Sequence, residues 1–232
     1  MANNSGIPLW TLVQAGDSLD QVPDNDPLIE GELKWNANMG LAFGAQGIQY
    51  FTLVQPADAA YQQSVNGLID STGEETELYQ WAKDVNKQIV AVDDILMNAT
   101  NKGIMATGTY ATSQVADKVK DITLYETSWN IFESGTDIGM TVYENNYEGA
   151  TVTCDTDDTY GTLTGCFEYK VGEETKHALY IVNYNVEKEN TVTVKFGSDV
   201  TVTMIHNGDT TKETVSSKDI QLGAGEAVLV VF

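Results

Sequence analysis

The sequence predicts a mixed fold: an α/β unit in βαβα order, followed by an all-β part built of antiparallel strands. Three observations carry that expectation. Strand-like and helix-like apolar patterns alternate up to about residue 103. Beyond it nearly every apolar run alternates in the manner of a strand. The stretch LAFGAQGIQYFTLVQP, residues 41–56, joins the end of a helix to a strand through a residue or two, as helices do when they return the chain to a parallel sheet. The change of period sets the expected domains at 1–102 and 103–232.

IPLWTLVQAG (7–16) is a short apolar run closed by glycine, read as a parallel-type strand buried on both faces. Asp26 followed by Pro27 reads as a helix start, and Glu30 and Glu32 suit the positive N-terminal end. Along that helix Leu33, Ala37, Gly40, Leu41 and Gly44 share one face, whose small residues permit close packing on a sheet. GIQYFTLVQP is the second parallel strand. After a polar loop, Leu78, Trp81, Ala82, Val85, Ile89, Val92 and Leu96 recur at spacings of three and four, a helix ending near Asn98. HALYIVNYN, NTVTVKF, DVTVTMIHN and EAVLVVF, separated by Gly, Asn and Asp clusters, read as the antiparallel strands of a sandwich. SWNIFESGTDIG (128–139) is ambiguous.

At 232 residues and 42% apolar content the chain can fill one large or two modest cores. Its formal net charge is −22, and all 12 of its Lys and Arg positions are lysine. That balance argues against nucleic acid and anionic membranes as partners, because both are bound by neutralising phosphate. No apolar run reaches the roughly 18 residues of a membrane span. MANNSGIPLW has neither a basic n-region nor an apolar h-region, so no signal peptide is read in it. The acidity suits a secreted protein, but the compartment stays open.

DTDDTYG (155–161) is rich in oxygens without following the spacing of a calcium loop, and reads as a hairpin turn. If ATVTC and LTGCFEYK pair across it, Cys154 and Cys166 stand nearly opposite and a disulfide could form; two free thiols are the equal alternative. His177 and His206 are too few for a zinc site, and no glycine-rich phosphate loop follows a strand. No metal and no cofactor is therefore expected.

ELKWNANMGLAFGAQGIQYFTLVQP, then NGLID and GEETELYQWAKDVNKQI, resembles the last two βα units of the (β/α)8 barrel in glycoside hydrolases related to the retaining β-galactosidases. ALYIVNYN through LGAGEAVLVVF is similar to the β-sandwich that commonly follows that barrel. The resemblance covers nearly the whole chain, strongly in residues 30–100 and loosely in the sandwich. It implies a quarter of a TIM barrel ahead of the sandwich, with a sugar site at the C-terminal ends of the barrel strands.

On that resemblance Gln14, Asp17, Gln55, Asp58 and Tyr61 lie on the functional face, and Trp10 and Tyr50 could stack on sugar rings. Asp58 and Asp17 are the preferred catalytic acids. Glu32 is a lesser candidate, since its place in a first helical turn already accounts for it. Asp70 reads as a turn or cap residue. Two departures stand out. The relatives end their seventh strand in a glutamate nucleophile where Gln14 stands here, and the strand bearing their acid/base has no counterpart. The expectation is a glycoside hydrolase-like protein acting on carbohydrate, its barrel completed by a closed homo-oligomer, specifically a tetramer. The alternatives are a non-catalytic carbohydrate-binding module and an inactive truncated fragment of a larger glycosidase.

Overall fold

A computed structural model describes residues 8–18, 27–54, 64–65, 67–111, 142–143, 145–155 and 159–232. Helices and strands are mixed, and the dominant feature is a large, mostly antiparallel sheet folded into two layers like a β-sandwich.

The N-terminal part contains β1 (Trp10–Gln14) and β3 (Gly47–Phe51), paired in parallel from Trp10↔Gly47 to Gln14↔Phe51. Between them runs α1 (Glu30–Ala42), and after β3 comes α2 (Glu77–Leu96). Helix α1 starts later than the Asp26–Pro27 signal suggests: Ile29 is the N-cap. Glu32 reaches back to accept the Ile29 amide at 3.1 Å, so the amide of the N-cap residue is satisfied from inside the helix. At its other end the Gly44 amide bonds Leu41 O (2.8 Å) and the Ala45 amide bonds Gly40 O (2.9 Å), with Gly44 at φ +86°. This is a glycine-terminated Schellman ending, and it releases the chain into β3.

Helix α1 is wedged between two partners. Leu33 and Ala37 meet Val13, Leu78, Ala82 and Val85 on the side of the small parallel sheet. Leu41 and Ala42 join Val92, Leu96, Tyr180 and Leu229 on the side of the large sheet. Small residues permit both approaches. A Cβ at Gly40 would stand 2.5 Å from Thr11 Cγ2, and one at Gly31 would stand 1.9 Å from Val186 O. Helix α2 buries Leu78, Ala82, Val85, Val92 and Leu96 along one stripe, each large side chain contributing about 1.5–3 kcal/mol of transfer free energy.

The large sheet runs β11 (Asp209–Leu222), β10 (Asn190–His206), β12 (Ala227–Val231), β9 (Glu174–Asn183), β8 (Thr162–Val171), β5 (Ala99–Thr107), β6 (Val142–Tyr143), with β7 (Ala150–Cys154) attached to β10. NTVTVKF and DVTVTMIHN are one strand, β10, not two. Its ladder with β11 shifts register between Lys195 and Val200. Its first half pairs with β7 and its second half with β12, so the β10–β11 ribbon passes from one layer to the other. Val152, Val192, Val194, Ile220 and Leu222 of one layer meet Leu179, Ile181, Val228 and Val230 of the other. The outer face of the main sheet takes the helices. β10 and β11 are joined by Asn207 (φ +52°) and Gly208 (φ +84°), the paired left-handed conformation of a tight hairpin. The position expected for a domain boundary, 102/103, falls inside β5.

Two other expectations are corrected. The cysteine strands do not form a hairpin: Cys154 on β7 pairs with Val192 of β10, whereas Cys166 on β8 pairs with Gly103 and Leu179. Both cysteines are free. β7 and β8 each pair with other strands, so the two cysteines do not stand opposite one another. β1 and β3 are not buried on both faces. Val13 is buried under the helices, while Trp10 (60%), Leu12 (65%) and Phe51 (52%) are exposed on the other side, because among the described residues only the helix layer covers the pair. The stretch 128–139 lies outside the described residues.

Candidate functional site

The parallel strands β1 and β3 send their chains out in the same direction, and the loops that follow meet. The Ala15 amide donates to Phe51 O (2.6 Å) and the Thr52 amide to Ala15 O (3.3 Å), extending the ladder past both strand ends. The Phe51–Thr52 peptide is cis. Beyond it, the Leu68 and Ile69 amides donate to Thr52 O (3.1 Å) and Leu53 O (2.7 Å), with a parallel bridge between Val54 and Ile69. Asp17 and Ser18 form a short strand, β2, opposite β4 (Ser64–Val65), in the register Asp17↔Val65. The backbone of Asp17 is thereby tied to the chain that returns from β3.

The residues proposed from the sequence divide among several places. Gln14 is exposed at the end of β1 and folds back, its Nε2 donating to Gly16 O at 3.0 Å. Trp10 stands on the same face, its ring laid across Gly47, where an added Cβ would lie 2.5 Å from Trp10 Cδ2. Tyr50 points the other way, into the helix layer. Its hydroxyl donates to Asn86 Oδ1 (3.0 Å) and burial pushes its pKa up to about 12. Glu32 is engaged with the Ile29 amide at the start of α1. Gln55, Asp58 and Tyr61 lie outside the described residues. Asp70 makes the expected turn: its Oδ1 accepts the Thr72 amide (2.8 Å), the Thr72 hydroxyl (2.7 Å) and the Glu74 amide (2.9 Å). Those bonds, the Glu74 amide foremost, lower its pKa.

Trp10, Leu12 and Phe51 share one exposed face with Gln14, and Leu53 and Val54, just past the end of β3, are also more than half exposed. Large apolar side chains clustered on one face mark a surface of interaction more often than an ordinary solvated one.

A polar cluster that sequence reasoning missed ties α1 to the sandwich. Lys34 Nζ lies 2.9 Å from Glu30 and 3.2 Å from Glu226, and Glu226 Oε2 is 3.4 Å from His206 Nε2. The Gly223 amide donates to Glu226 at 2.9 Å. Together these hold the Glu226 carboxyl at about 2: the His206 ring contributes most, and the Gly223 amide and Lys34 outweigh the opposing effect of burial. Burial pulls Lys34 down, but Glu30 and Glu226 more than compensate, and its pKa is raised. Beside this cluster Asn38 donates to Gly225 O (3.0 Å) and accepts the buried Tyr180 hydroxyl (2.7 Å). Lys34 and Glu226 are 192 positions apart, and no local pattern announces their meeting.

No family model matches the chain, and no curated protein sequence matches it. Among solved structures the chain is similar to a β-galactosidase from Bacillus circulans sp. alkalophilus, with a TM-score of 0.52 at 11% identity. The alignment covers 97% of this chain and 55% of that neighbour. The likeness is one of fold, and this chain spans about half the length of that neighbour.

Proposed function

We propose that this chain is a glycoside hydrolase-like protein acting on carbohydrate, with the βαβα unit that precedes β5 forming part of a (β/α) barrel and the strands from β5 onward a C-terminal sandwich. The observation that carries the proposal is the parallel β1–β3 pair, helix-covered on one face and bare on the other, in a chain whose fold resembles that of a β-galactosidase. In a closed barrel the bare face would be the interior, and the loops after Gln14 and Phe51 would open on the catalytic side. Asp17 and Asp58 are the acids assigned to that side, with Gln14, Gln55, Trp10 and Tyr61 as sugar contacts. Glu32 and Tyr50 are better accounted for by the helix start and the helix layer.

The missing strands are supplied by further copies of the chain, a tetramer giving eight strands in all. Retaining chemistry needs two carboxyl groups about 5 Å apart. Gln14, an amide, cannot serve as the nucleophile, so the acids of neighbouring loops must meet in the assembly. The same amide favours a second reading, in which sugar is bound without turnover. A panel of nitrophenyl glycosides, assayed on material whose mass is fixed by light scattering, separates the two. Hydrolysis lost in Asp17→Asn and Asp58→Asn supports the enzyme, binding without hydrolysis supports the module, and neither activity in an assembled protein overturns both.

A further inference from the structure

We propose that the loop end of the sandwich carries a second saccharide-binding groove, centred on Tyr160 and separate from the ends of β1 and β3. The inference deepens the reading of the protein as carbohydrate-acting and rests on it. A groove of about 310 Å3 opens among the end of β7, the segment entering β8, the β9–β10 loop and the end of β11. That volume sits at the lower end of the roughly 300–1,000 Å3 of small-molecule sites. Its lining includes Asp155, Tyr160, Lys188, Glu189 and Gln221, all exposed. Tyr160 is 44% exposed, and its ring centroid lies 5.4 Å from that of Tyr110, which is 46% exposed.

The frame of the groove is fixed. The side-chain amide of Asn183, fully buried, donates to Lys188 O (2.8 Å) and Gly223 O (2.9 Å), and its Oδ1 accepts the Asn185 amide (3.0 Å). Asn185 Oδ1 in turn accepts the amides of Glu187 (3.0 Å) and Lys188 (3.1 Å). The Tyr184 amide donates to Gly161 O (3.0 Å), and the Tyr110 and Ala111 amides to Thr159 O (2.9 Å) and Tyr160 O (3.1 Å). Thr159, Tyr160 and Gly161 are thus hydrogen-bonded through their backbone to neighbouring segments, which lowers the ordering cost of binding at Tyr160.

The chemistry of the lining selects the ligand class. A half-exposed aromatic ring offers its face to the C–H face of a pyranose. Carboxylate, amide and ammonium groups around it offer acceptors and donors for hydroxyls. Two carboxylates against one ammonium, in a chain of net charge −22, disfavour an anion. A neutral oligosaccharide fits best.

The test is calorimetric titration of the full chain with β-1,4-galactotriose, cellotriose and xylotriose at millimolar concentrations, with near-UV circular dichroism as the fold control. Tyr160→Ala should weaken binding at least about tenfold, while Tyr160→Phe, which keeps the ring, should stay within about threefold of the parent. Gln221→Ala should weaken it by a smaller factor. Failure of the barrel-end reading shows as turnover unaltered in Asp17→Asn, whereas the groove is judged on the Tyr160 and Gln221 variants alone. Equal binding by the parent and a folded Tyr160→Ala overturns the proposal, as does a parent that binds none of the three sugars.

Discussion

Replacing Glu226 by Gln tests the idea that a half-buried charge cluster clamps α1 onto the sandwich. The substitution keeps the shape of the side chain and an acceptor for the Gly223 amide, and removes the charge facing Lys34 and His206. In the fold the carboxyl titrates at about 2 against 4.5 ordinarily. At about 1.36 kcal/mol per unit the displacement corresponds to roughly 3 kcal/mol. Because the carboxyl is half-buried and screened by solvent, about 1–2 kcal/mol is a fair expectation at neutral pH. Because the folded pKa is depressed, this stability is fully present above about pH 4.5 and is lost as pH falls through about 2. The stability gap between the parent and Glu226→Gln should therefore be wide at pH 7, narrow below about pH 4.5, and nearly closed at pH 2. Urea unfolding followed by tryptophan fluorescence reads it, since Trp35 lies on α1 beside Lys34. A gap under about 0.5 kcal/mol at pH 7, or one that stays constant down to pH 2, would refute the clamp.

Gly31→Ala should destabilise the protein by at least about 2 kcal/mol, because its Cβ would collide with Val186 O, a backbone atom that cannot swing aside; calorimetric melting checks this. Leu12→Asp combined with Phe51→Asp should convert an assembled protein to a species near 25.3 kDa on light scattering, while a parent that is itself a stable monomer would sink the shared-barrel proposal. Asn substitutions at Asp17 and Asp58 should lower turnover or sugar binding with little change in melting temperature, and parent-like behaviour of both in every assay would dismiss that site. Ellman's reagent should modify Cys154 before Cys166, which is buried and whose thiol burial pushes up, and should count two thiols in denaturant; a count of zero would restore the disulfide.

The sequence by itself determined those features that are written locally. The stripe from Leu78 to Leu96 had one solution, a helix buried along one side, because spacing of three and four fits no strand. GIQYF marked where the chain leaves α1 for β3, since a β-rich run cannot continue a helix, whereas Gly44, read as a face residue of that helix, is its left-handed terminator. Asp70 was legible as a turn because its oxygen reaches only its own neighbours. The polar strand β11 was not read, because its exposed face leaves little apolar alternation to see.

Tertiary structure decided everything that depends on distant residues. Whether Cys154 and Cys166 face each other depends on which strand pairs with β7, and β10 takes that place from far along the chain. Apolar content suggested that β1 and β3 are buried twice over; covering a face needs a second layer, and only the partner elements can supply it. Lys34, Glu226 and His206 are unremarkable in sequence and become a clamp when α1 lies against the sandwich. A periodic pattern states that a face wants burial, since burial is proportional to apolar area removed from water. It carries no information about what buries it, and that choice is made by the fold.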